Sequence, residues 1–133
     1  MRKVHPARFQ RLVAQAINSL PEELLSLLDN VEIVVEPFPT PAQLRRAGVE
    51  PPGTLLGLYE GVPRTERGGY YNLVPPDRIT IFQQPIEAIS RNEDEMFRHV
   101  QETILHELAH HFGFDEDHIQ ALEQELGWGA DPL

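Results

Sequence analysis

Residues 105–118, LHELAHHFGFDEDH, hold four of the chain's six histidines and set carboxylates among them. The chain has no cysteine, so any metal it binds must be held by imidazole and carboxylate groups. On a helix each residue turns about 100°, which puts His106 and His110 about 40° apart on one face. Two imidazoles one turn apart can meet a single zinc ion. Glu107 lies about 60° round from His110. From there its carboxylate can reach a water on the ion without being a ligand. Zinc lowers the pKa of such a water to about 7, and a nearby carboxylate can take its proton. His106-Glu107-x-x-His110 therefore has the pattern of a zinc-dependent hydrolysis of peptide bonds, with Glu107 as general base. The bland alternative is a solvated helix face that happens to carry histidines. Against it, the apolar residues Ile104 and Leu108 keep off the ligand face.

Two histidines do not complete a catalytic zinc site, so a third ligand is needed. Gly113 can adopt the left-handed conformation that lets the chain turn back. Counting on through HELAHHFGFDE, Glu116 falls in the third slot of His-Glu-x-x-His-x-x-Gly-x-x-ligand. His118, two residues later, is chemically attractive but off that register. Glu123 and Glu125 suit a scheme in which a separate helix supplies the ligand. Asp115 and Asp117 read as a helix N-cap and a first-turn acid. His111 lies about 140° from His106 and reads as a packed, hydrogen-bonded residue. His99 reads as structural or exposed. Tyr70 or Tyr71, in a glycine-hinged loop, could donate to an oxyanion; packing is the plainer role for these two and for Tyr59.

These groups need a frame. Phe97, Val100, Ile104, Leu108 and Phe112 form an apolar stripe for a helix of about five turns. Ser90–Glu93 has capping-box spacing at its start, and Gly113 suits its C-terminal cap. A last helix opens at Asp115-Glu116-Asp117 with Ile119, Leu122 and Leu126 facing in. Upstream, Pro6 starts an amphipathic helix on Phe9, Leu12, Val13, Ala16, Ile17 and Leu20. Ser19 to Glu22 has capping-box spacing for a short second helix through Leu28. Strands are expected at Val31–Val35, Leu55–Tyr59 and Arg78–Gln84. A helical turn is expected from Thr40 and Pro41, and a loop or irregular hairpin over Gly61–Tyr71. The order of helices, strands and helices predicts an α+β fold with a mainly antiparallel three-stranded sheet, in one domain over residues 1–133.

The totals narrow the function. The formal net charge is −10 and the pI about 4.9. A nucleic-acid binder or a protein of anionic membrane surfaces would need a basic face, so neither partner is expected. The N-terminal stretch reads as an amphipathic helix rather than a signal peptide, and no run approaches the length of a membrane span. The expectation is a cytoplasmic protein, monomeric or a small homo-oligomer, acting on a peptide or protein.

HELAHHFG, the acidic run after it, ELGW at 125–128 and LYEGVPRTER at 58–67 resemble the small bacterial minimal-zincin family, predicted zincin-like metallopeptidases of about this length. The resemblance covers most of the chain from Val31 onward. It implies a zincin-like domain reduced to a small sheet, an active-site helix and flanking helices, with zinc on His106, His110 and Glu116. The family's third slot is typically acidic, which favours Glu116 over His118. By zincin analogy, Arg78–Gln84 is the edge strand beside the metal, to which an extended peptide adds. The chain departs from metzincins: the third slot is not histidine, and no methionine follows the motif, Met1 and Met96 both preceding it.

Two other functions remain open at this level. One is a non-catalytic or regulatory metal-binding domain, in which a fourth protein ligand closes the site. The other is a metal-dependent endoribonuclease with a His-x3-His-x5-His pattern. GFDEDH is reminiscent of its end, but the sixth residue after His110 is Glu116 and the net charge is wrong for RNA.

Overall fold

A computed structural model describes residues 3–61 and 76–127. Helix α1 (Pro6–Asn18) starts on proline, whose missing N–H is no loss there, and His5 Nδ1 caps it by accepting from the Ala7 amide. Its buried residues Phe9, Leu12, Val13 and Ala16 follow the expected stripe. Helix α2 (Glu22–Leu27) does not begin with a capping box. Ser19 closes α1 instead, its hydroxyl donating to the Gln15 carbonyl. A 3-10 turn leads into strand β1 (Val31–Glu36). Helix α3 (Pro41–Arg46) carries a complete capping box between Thr40 and Gln43. Strand β2 (Gly57–Glu60) follows, then strand β3 (Asp77–Phe82). Gln83 and Gln84, expected in that last strand, belong instead to the short helix α4 (Gln83–Ala88).

The sheet order is β1-β3-β2. β1 runs parallel to β3, and β2 runs antiparallel to it. The sheet is mixed, not mainly antiparallel as the order of elements suggests. The strand over Arg78–Phe82 is also central, not an edge. β3 is the most buried strand because it has a neighbour on each side, and Ile79 and Ile81 are fully inaccessible. Among the described residues, the edge strand beside the long helix is β2.

Helix α5 (Glu93–Phe112) forms the main helical wall of the core. Met96, Val100, Ile104, Leu105 and Leu108 pack with Phe9, Leu12, Leu24, Ile79 and Ile81 in one cluster. Phe112, at the end of the expected stripe, is 45% exposed and stands edge-on to Tyr59 and His111, outside the core cluster. The N-cap is Asn92, accepting from the Glu95 amide, two residues past the expected start. Ser90 is unavailable for capping: it is buried, donates to the Ile86 carbonyl and meets His99 Nδ1 at 2.9 Å. Gly113 ends α5 with φ 73° and ψ 36°, the left-handed cap its position requires. Helix α6 (Glu116–Glu125) begins three residues later, capped by Asp115 on the His118 amide. Leu122 is buried, with Ile119 and Leu126 packed beside it.

Candidate metal centre

The site is built on α5, closed on one side by β2 and on another by α6. Two glycines permit these approaches. A Cβ on Gly57 would lie 2.5 Å from the Thr103 methyl and 3.0 Å from the Thr80 carbonyl oxygen, so only glycine lets β2 lie this close to α5. Gly113 turns the chain so that α6 runs back along the helix it left.

Close packing of β2 has a chemical result. The Tyr59 amide donates to Glu107 Oε1 at 2.8 Å. In an antiparallel pair the outward N–H and C=O groups alternate with those in the ladder. Leu56 accepts from the Phe82 amide, so Tyr59 is one of the residues whose amide faces away from β3. That amide goes to the catalytic candidate. The rest of Tyr59 is anchored too: its hydroxyl donates to Asp77 Oδ2 at 2.6 Å, and its ring stacks on His111 at 3.9 Å between centroids. Sequence reading gives Tyr59 a packing role alone and misses its hydrogen bond to Glu107. Residues 59 and 107 are 48 positions apart, and no local pattern links them.

Glu107 is half-buried, and burial pushes its carboxyl above the ordinary value of 4.5. The Tyr59 hydrogen bond and the neighbouring His110 and His106 pull the other way without cancelling the shift. Among the described residues Glu107 Oε2 has no hydrogen-bond partner, so one oxygen is fixed and the other is free for chemistry.

His106 and His110 are both exposed on the same face of α5, one turn apart. His106 Nε2 is 3.5 Å from Glu123 Oε2 on α6. Ligand atoms of Glu102, His106 and Glu123 all lie within 4.8 Å of one another, the one such metal-compatible group among the described residues. Glu116 is not in it. It is the first residue of α6 and exposed. It shares a face with Glu123 but lies seven residues before it, about 10 Å along the helix axis at about 1.5 Å per residue. Because α6 packs back along α5, that displacement carries Glu116 toward the Gly113 end. His118 is turned elsewhere: Nε2 lies 2.6 Å from Glu23 Oε2 on α2, and its ring stacks on Phe114. His111 is exposed and held by stacking, with Phe112 edge-on, rather than buried by a hydrogen bond. Tyr70, Tyr71 and the rest of the expected hairpin over 62–71, like Trp128, lie outside the described residues.

The donor set suits zinc. Imidazole nitrogen and carboxylate oxygen are both zinc ligands. A cleft of about 240 Å³ adjoins the face, walled by Thr54, Leu55, Leu56 and Gly57 on one side and Glu102, Thr103, His106 and Glu107 on the other. None of the helices in the described residues is long and apolar enough to cross a membrane.

Comparison with known proteins gives a family match and a fold match. The family described as zincin-like metallopeptidase matches residues 28–126, from the end of α2 to the end of α6. Among solved structures, a conserved hypothetical protein from T. thermophilus superposes with a TM-score of 0.55 at 24% identity, covering 82% of this chain and 94% of that one. At that identity the likeness shows a shared fold. No curated protein matches the chain.

Proposed function

Since the chain belongs to the zincin-like metallopeptidase family, we propose that it is a zinc-dependent peptidase, with Glu107 as general base and His106 and His110 as two of the ligands. The observation that carries this reading is the half-held Glu107 carboxylate, one oxygen on the Tyr59 amide and the other free, set between two exposed histidines. Zinc in this place would acidify a water molecule and polarise a peptide carbonyl. Glu107 Oε2 would take the proton of the attacking water and return it to the leaving amine. The Tyr59 amide keeps the carboxylate aimed through both transfers. The third ligand is a carboxylate of α6: Glu123 is favoured by its distance from His106, and Glu116 by its place in the motif. The substrate is an extended peptide or protein segment pairing along β2, whose residue Gly57, with outward backbone groups, borders the cleft.

The test is Glu107→Gln, which keeps the shape and the acceptor for Tyr59. Both it and wild type should hold about one zinc per chain, and it should lose nearly all hydrolysis of any peptide the wild type cleaves. Unchanged turnover would remove Glu107 from the mechanism. Zinc affinity of Glu123→Gln against Glu116→Gln identifies the third ligand, because only loss of a ligand weakens binding strongly. A second reading, a non-catalytic metal-binding domain, draws on the number of carboxylates around His106. Wild-type protein that binds zinc and cleaves no peptide in a diverse library would favour it.

A further inference from the structure

Glu102 has no role in the scheme above, and its surroundings give it one. It stands one turn before His106, so Glu102, His106 and His110 recur every fourth residue along one arc of α5. The carboxylate is half-buried at the cleft wall and makes no hydrogen bond or ion pair with another described residue. Glu123 meets it from α6, and its one partner among the described residues is His106. Two carboxylates thus converge within 4.8 Å on a single imidazole, in a chain of net charge −10. Like charges so placed repel, and a cation between them relieves the repulsion.

We propose that Glu102 is a further ligand-bearing residue of the metal centre, acting with His106 and Glu123 and competing with water and substrate for the ion. This rests on the reading that the centre binds zinc. The ion then has two possible sets of neighbours that share His106: the His106 and His110 pair used for hydrolysis, and a carboxylate-rich set that closes it off with protein. Catalytic zinc needs an open position, and closed sites are structural. Glu102 therefore holds the resting centre in a less reactive form. It also lines the cleft that a bound peptide would fill, so substrate entry and release of Glu102 from the ion are coupled.

The experiment uses the full chain stripped of metal. Zinc affinity is measured by competition with a chromophoric chelator, and cobalt(II) is added separately to read the ligand field from its visible absorption. Glu102→Gln, close in shape and a good helix former, is compared with wild type and with His110→Ala. The expected result is a loss of about tenfold or more in zinc affinity and a changed cobalt spectrum for Glu102→Gln. Affinity within tenfold of wild type with an unchanged spectrum overturns the proposal. Glu102→Asp, which keeps the charge but withdraws it by one methylene, should also weaken binding and serves if the glutamine variant does not fold. The His110 arm separates the two readings. If His110→Ala loses zinc while Glu102→Gln retains it, the peptidase centre stands and Glu102 has no part in it. If only Glu102→Gln loses zinc, Glu102 is a ligand and the paired-histidine centre falls.

Discussion

Glu107 is held by one oxygen and free at the other, and its proton affinity is set by where it sits. Burial raises its pKa in the folded chain above the ordinary 4.5. For a raised group, the favourable contribution is present below the unfolded value and is lost as pH rises through the folded one. In metal-free protein the ionised Glu107 should therefore weaken the fold at neutral pH. Glu107→Gln removes that charge and keeps the acceptor for Tyr59. Its melting temperature in chelator should exceed that of wild type at pH 7, and the gap should shrink on acidification toward pH 4. A gap that widens on acidification would mean that burial is not what governs this carboxyl.

At the scale of elements, the approach of β2 to α5 depends on a missing side chain. Gly57→Ala sets a methyl against the Thr103 methyl, and Thr103 cannot readily turn away because its hydroxyl donates to the His99 carbonyl at 2.7 Å. Overpacking of this kind costs about 1–3 kcal/mol. It should also draw Tyr59 from Glu107 and lower hydrolysis more than zinc binding. Thr103→Ser removes the obstructing methyl and keeps the hydroxyl, so the double variant should recover part of both losses in denaturant melts and assays. No recovery would place the strain elsewhere. The elements themselves differ in how openly they are written. α5 and its Gly113 cap are legible because a helix is a local object, its period and its ends set by near neighbours. Residue spacing misplaces its start by two residues because Ser90 has a buried partner that sequence does not disclose. The strand order and the register of α6 against α5 are non-local, which is why β3 reads as an edge and why the approach of Glu123 to His106 is not legible in the spacing.

For the molecule as a whole, the site and the core share one helix. Leu108, one residue past Glu107, is fully buried, and its truncation to alanine should cost about 2–5 kcal/mol. Zinc that binds only the folded chain returns about 2.7 kcal/mol at a free concentration a hundred times its Kd. Leu108→Ala should therefore melt well below wild type in chelator and regain much of the difference in zinc. A melting curve for this variant that is indifferent to zinc would uncouple site from fold.

The Tyr59 amide has a second use, as a clock. It lies outside the β2–β3 ladder, and it donates to Glu107 Oε1. Solvent deuterium can replace its proton only when that bond opens. Its exchange rate therefore counts how often the carboxylate is let go, separately from the opening of the sheet. Slow exchange would describe a base preset for its task, and exchange that slows only when an ion or peptide is added would describe one set in place by its ligands.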